Sequence, residues 1–181
     1  NPVRLDEKEF TTDLGQNNII FVGSSCDMFA DDIPEDWIYR ILAYLAGFNN
    51  RYLFQTKNPA RFSKFSIIPF MYENGIFCTT IETNRHYEEM GNAPKPEERA
   101  RETRKICERM PTYVTIEPIM DFDLGQFALM LFDIRPIQIN IGSDSGGNNL
   151  PEPDSMKIND LINITGEFTN VVQKKNLKRL L

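Results

Sequence analysis

Four carboxylates stand just beyond apolar runs of this sequence, and they are the side chains with the most chemistry to offer. Asp27 follows Gly23-Ser24-Ser25-Cys26, Glu82 follows Thr79-Thr80-Ile81, Glu117 follows Tyr113–Ile116, and Asp144 follows Gly142-Ser143. A carboxylate at the end of a buried run needs a cation, a ligand or hydrogen bonds to offset its desolvation. Lys57, in Gln55-Thr56-Lys57-Asn58, is a candidate partner for Glu117 and also a candidate ligand contact. Carboxylates and hydroxyls suit hard cations, so a metal-dependent hydrolase using Asp27, Glu82, Glu117 and Asp144 is one chemistry they would support. Each feature taken singly also has a structural alternative. Gly23-Ser24-Ser25 reads as a tight turn, Lys57 as a surface cation ahead of Asn58-Pro59, and Gly142 to Asn149 as a glycine-rich turn. Such a turn alone is weak evidence for phosphate binding.

The thiols and the imidazole narrow the choices. Cys26, Cys78 and Cys107 are an odd set with no short spacing, which is a poor disulfide framework and contains no CxxC clamp. They predict a reducing, cytoplasmic setting. Cys78, inside an apolar run, reads as core, and Cys26 as a buried or spectator thiol rather than a nucleophile. His86 is the sole histidine and sits in a polar stretch, so a site needing several imidazoles is excluded, and a surface position is favoured over a catalytic one.

The elements that must position these residues show as an alternation of short apolar runs with amphipathic segments. The runs are Asn18–Val22, Tyr52–Gln55, Gly75–Thr79, Tyr113–Ile116, Ile137–Ile141 and Asn170–Gln173. Most are continuously apolar, which predicts strands covered on both faces by helices. Asp32 and Glu35 have capping-box spacing with Pro34 in the first turn. Trp37, Ile38, Ile41, Leu42 and Leu45 follow as one apolar stripe, and Gly47 as a stop. Between Pro96 and Met110, Glu97, Glu98, Arg99, Arg101, Glu102, Arg104 and Lys105 surround a thin stripe and read as a solvated outer face. Further helices are predicted from Leu124 to before Pro136 and near Asp154–Phe168.

Strands interleaved with helices mean βαβ units and a parallel sheet. A unit of roughly 30 residues repeated six times accounts for the 181 residues, which is too short for eight units. The predicted fold is α/β: a single domain over residues 1–181, an open, partial TIM-type barrel of about six strands, with a doubly wound sheet as the rival. Ligands of such folds bind at the carboxyl ends of the strands. Composition sets the remaining bounds. With 20 Lys+Arg against 26 Asp+Glu the net charge is -6, which argues against sequence-blind nucleic-acid binding. No apolar run approaches a membrane span, and the first residues lack the pattern of a signal peptide.

Five segments carry a resemblance. Ile20-Phe21-Val22-Gly23-Ser24-Ser25-Cys26-Asp27-Met28-Phe29, with Ile33-Pro34-Glu35-Asp36-Trp37-Ile38, resembles a phage- and bacterial-type family of uncharacterised radical-SAM-related proteins. The similarity continues in Phe54-Gln55-Thr56-Lys57-Asn58-Pro59-Ala60-Arg61, Thr115-Ile116-Glu117-Pro118-Ile119-Met120 and Ile141-Gly142-Ser143-Asp144-Ser145-Gly146, in the family's order. The resemblance implies an open (β/α) partial barrel that binds S-adenosylmethionine and a [4Fe-4S] cluster. It implies cofactor contacts from Ser24, Asp27, Thr80, Glu82, Glu117, Gly142, Asp144 and Ser145, and substrate contacts from Gln55 and Lys57. The departure is the absence of a CxxxCxxC motif, so this chain supplies no cluster ligands. The family's first strand and cluster loop would precede Asn1, and the opening Asn1-Pro2-Val3-Arg4-Leu5 resembles the connection that follows them. The chain is thus expected to be truncated, or a cluster-free relative. The other functional expectation is a non-catalytic barrel that binds a nucleotide-like or phosphorylated ligand.

Overall fold

The computed structural model describes residues 3–66 and 68–181; Asn1 and Pro2 of the opening segment lie outside the described residues. Six strands form one sheet in sequential order, and every neighbouring pair is parallel. They are β1 (Ile19–Val22), β2 (Arg51–Thr56), β3 (Gly75–Thr80), β4 (Thr112–Ile116), β5 (Gln138–Ile141) and β6 (Asn170–Gln173). Between them lie α1 (Glu35–Leu45), α2 (Pro59–Phe65), α3 (Pro69–Asn74), α4 (Pro96–Cys107), α5 (Leu124–Ile134) and α6 (Ser155–Gly166). The sheet is not closed into a barrel. Its sequential order removes the doubly wound alternative, which requires the order to reverse at a switch point. Among the described residues no helix is long and apolar enough to cross a membrane.

The helix-packed core lies on one side of the sheet, which corrects the expectation of helices on both faces, although the middle strand β3 is buried along its whole length. The register aligns Val22, Phe54, Phe77 and Thr112 in one row, and Thr56, Thr79, Val114, Ile139 and Val171 in the next. These rows face the helices. Tyr52, Phe54 and Phe77 pack with Ile38, Leu42 and Phe62 in an aromatic-rich cluster, where the Phe62 and Phe77 rings are 4.4 Å apart. Val114, Ile116, Ile139 and Ile141 pack with Leu131, Ile134, Ile158 and Leu161 in an aliphatic one. The opposite face carries Phe21, Leu53 and Ile76 in one row, and Gln55, Cys78, Tyr113, Gln138 and Asn170 in another. At the β1 edge of this face Ile19 and Phe21 stay 70% and 46% exposed, whereas Ile76 and Cys78 in β3 are buried. A parallel sheet whose order never reverses has right-handed crossovers on one side only, so a continuous apolar run here does not imply two covered faces.

The start of α1 differs from the sequence expectation, while its end before Gly47 agrees with it. Asp32 does not cap α1: Pro34 is the N-cap residue, without a side-chain cap bond. The preceding turn is instead held from a distance, by the buried Arg61 of α2 donating to the Ala30 and Ile33 carbonyls. The helix ends at Leu45 with Ala46 as its cap, ahead of Gly47. At α6 a local cap does form, with Asp154 accepting from the Lys157 amide at 2.8 Å.

One-sided burial makes a direct prediction. Phe54→Ala, fully buried on the helix face, should cost about 3–5 kcal/mol. Phe21→Ser, on the open face, should change stability by about 0.5 kcal/mol or less. Urea unfolding of the two variants measures both, and equal losses would mean that β1 is buried on its second face as well.

Candidate functional site

The carboxyl ends of all six strands emerge along one edge of the sheet, and the predicted residues divide there into two groups. The first gathers around β1, β2 and β3. A cleft of about 260 Å³ is lined by Phe21, Gly23, Ser24, Cys26, Asp27, Gln55, Thr56, Lys57 and Thr80. Ser24, Asp27 and Thr80, expected to contact the cofactor, and Gln55 and Lys57, expected to contact the substrate, therefore line one cleft. Gly23 turns the chain out of β1 at φ 71, a conformation that L side chains rarely adopt. Asp27 organises the rim: it accepts from the Phe29 amide at 3.0 Å, the Thr56 hydroxyl at 2.9 Å and the Lys57 amide at 2.8 Å. Gln55 donates to the Thr80 hydroxyl across β2 and β3 at 3.0 Å.

Behind this cleft lies a buried ion cluster. Glu82 is 2% exposed and pairs with Arg99 at 2.8 Å and Lys57 at 2.6 Å. Lys57 is thus the partner of Glu82, which corrects its expected pairing with Glu117. Burial pushes the Glu82 carboxyl up, but the charges of Arg99 and Lys57 outweigh it and hold the group below the ordinary glutamate range. Arg99 also donates to the Thr80 carbonyl at 2.6 Å. Its side chain is 0% exposed, so it does not belong to the solvated face read from the charged series of α4. The sequence held a signal for it: Arg99 precedes Thr103, Ile106 and Met110 by 4, 7 and 11 positions, in phase with the apolar stripe.

The second group, at the ends of β4 and β5, is fastened to the segment after β6. Glu117 pairs with Lys174 and accepts from the Asn176 amide at 2.7 Å. Asn176 donates as well to the Ser143 carbonyl at 2.9 Å and the Ser145 hydroxyl at 2.8 Å. Asp144 folds back on its own loop, accepting from the Gly146 amide at 2.9 Å and from the Asn148 side chain at 2.8 Å. These hydrogen bonds hold its carboxyl below the ordinary range. A Cβ on Gly142 would lie 2.5 Å from Glu117 Oε1 and 2.9 Å from Asn176 Oδ1, so the loop sits this close to β4 only because residue 142 is glycine. The Gly142–Ser145 segment and Glu117 thus form a brace between strands, with Lys174 and Asn176 as parts that sequence reasoning missed. Their polar stretch after the last run carried no motif to flag them.

Asp27 and Glu82 share Lys57, through its amide and its ammonium, whereas Glu117 and Asp144 have separate protein partners. Among the described residues no three His, Cys, Asp or Glu side chains gather where they could hold a metal ion. Nor do the thiols fit an iron-sulfur cluster. Cys26 is exposed in the turn after β1, and all three cysteines are free. Cys78 is buried in β3 with its Sγ 3.2 Å from the Thr115 hydroxyl, and burial pushes its thiol up to about 11. Cys107, at the end of α4, donates to the Arg135 carbonyl at 3.0 Å.

Two measurements test this division. Gly142→Ala should destabilise the chain by about 1–3 kcal/mol through overpacking, whereas Gly125→Ala, in open space on α5, should stabilise it by about 0.5 kcal/mol. For Glu82 the sign follows from a folded value below the unfolded one. Its contribution is full above the unfolded carboxyl range, about pH 4.3, and is lost as pH falls through the folded value. Glu82→Gln should therefore cost about 3–5 kcal/mol at neutral pH by leaving Arg99 uncompensated, and should flatten the acid limb of stability measured by urea unfolding. An unchanged acid limb would contradict the role given to Glu82.

No family model and no curated protein matches the chain.

Proposed function

We propose that this chain is the S-adenosylmethionine-binding core of a radical-SAM-like enzyme, with the cofactor held at the carboxyl ends of β1, β2 and β3. The observation that carries the proposal is the cleft itself. Five of the residues expected from the family resemblance, Ser24, Asp27, Gln55, Lys57 and Thr80, line one concavity on an open parallel sheet. Asp27 and Lys57 are the only charged groups among the residues lining it, one of each sign. That pair complements the ammonium and carboxylate of an amino-acid zwitterion, and the Ser24, Gln55 and Thr80 groups complement hydroxyls such as those of a ribose. In the same proposal Glu82 supports the site through Lys57, while Glu117, Gly142, Asp144 and Ser145 stabilise the neighbouring strand ends. Radical formation would require cluster ligands from outside these 181 residues, since the three thiols do not fit a cluster.

Isothermal titration calorimetry with S-adenosylmethionine tests the proposal. Gln55→Leu and Ser24→Ala should each weaken binding about five- to tenfold, the equivalent of one hydrogen bond, and Gly125→Ala should leave it unchanged. Binding of adenosine diphosphate or inorganic phosphate in place of S-adenosylmethionine would favour a non-catalytic module for phosphorylated ligands.

A further inference from the structure

Arg99, Glu82 and Lys57 form a chain of charge that runs from the interior to the cleft. Arg99 is fully buried on α4, Glu82 is 2% exposed at the end of β3, and Lys57 is 42% exposed at the end of β2. Two cations flank one carboxylate, so the cluster carries one positive charge in excess, and Lys57 alone presents it to solvent. An ammonium has three donors; Glu82 takes one at 2.6 Å. Burying a guanidinium is costly unless its partners compensate it, and here compensation is incomplete. Arg99 Nε is a buried donor without a partner among the described residues, and Nη2 reaches only Met90 Sδ, at 3.7 Å. An arrangement whose sole purpose was stability would be served better by packed apolar residues in place of the whole buried set. What the buried Arg99 does provide is a fixed carboxylate. A flexible lysine stem beside a fixed anion loses its freedom to swing into solvent, and its ammonium stays at one point of the cleft wall. That point is also shared: Lys57 and Asp27 line both the 260 Å³ cleft and an adjoining one of about 410 Å³.

We infer that Lys57 is the cleft's anion-recognition group and that Arg99 is a positioning residue that acts on it through Glu82. The ligand group is an anionic oxygen, taken as a carboxylate on the proposal made above, on which this inference builds. A phosphate would use the same donor geometry.

The test compares binding of S-adenosylmethionine, its decarboxylated analogue, and inorganic pyrophosphate by calorimetry, with folding checked by circular dichroism. The wild type should prefer S-adenosylmethionine to the decarboxylated analogue by about tenfold or more, as one charge-assisted hydrogen bond would give. Lys57→Met, a change at a half-exposed side chain, should reduce that ratio to about one. Arg99→Gln should reduce it partly, Arg99→Lys should restore much of it, and adding Arg99→Gln to Lys57→Met should have no further effect on the ratio. If Arg99→Gln does not fold, Lys57→Met and Arg99→Lys still decide the question. Equal wild-type affinity for the two sulfonium ligands would overturn this inference and leave the cofactor proposal standing. Binding of pyrophosphate alone, abolished by Lys57→Met, would overturn the cofactor proposal and support this inference. An unchanged ratio in folded Arg99→Gln would overturn the positioning role, and no binding of any anion would overturn both.

Discussion

Each strand of this sheet runs parallel beside its predecessor in unbroken order, and a right-handed crossover can achieve that only by laying every helix on the same face. The remaining features depend on this constraint. It gathers Tyr52, Phe54, Phe77, Val114, Ile139 and Ile141 under the helices, leaves Ile19 and Phe21 of β1 exposed on the other face, and brings every carboxyl end of a strand to one edge. Polar groups at that edge are then near one another even though they are far apart in sequence. Asp27 meets Thr56 and Lys57, and Glu82 meets both Lys57 and Arg99.

The two halves of the edge handle their charges differently. Around β4, β5 and β6 the polar groups bind mainly one another: Asn176 spans Glu117, Ser143 and Ser145, and Glu117 reaches Lys174, although Asn176 Oδ1 is a buried acceptor without a partner among the described residues. Loops closed on themselves in this way brace the structure. Around β1, β2 and β3 satisfaction stops short of the surface. Asp27 and Glu82 are held from within, but the Ser24 and Lys57 side chains face a cleft with donors to spare. The half-exposed Lys57 ammonium and the cleft it lines are the physical reason the proposed ligand is placed at β1–β3.

Much of the architecture was legible in the sequence because apolar runs and helical stripes have short periods that survive without knowledge of neighbours. All six runs became strands within a residue or two of their expected limits, and the segments after Pro96, Leu124 and Asp154 became helices. The pattern was silent where tertiary contacts decide. The short α2 and α3 have too few turns to show a period. The start of α1 is set by Arg61 across the chain instead of by the local Asp32 spacing. The site residues divide in the same way. That Ser24, Gln55 and Thr80 share a cleft follows from strand-end position, which sequence predicts. Which cation Glu82 or Glu117 meets depends on register and helix placement, so Lys57 was assigned to the wrong acid and Arg99 was read as solvated.

The central claim is that a nucleoside-type cofactor binds the β1–β3 half of the edge. Amide hydrogen exchange measured with and without S-adenosylmethionine tests it most directly, because it reports location as well as binding. The account predicts slowed exchange at residues 23–27, 55–57 and 80–82, with residues 142–146 unaffected. Protection confined to residues 142–146, or no protection anywhere, would contradict it.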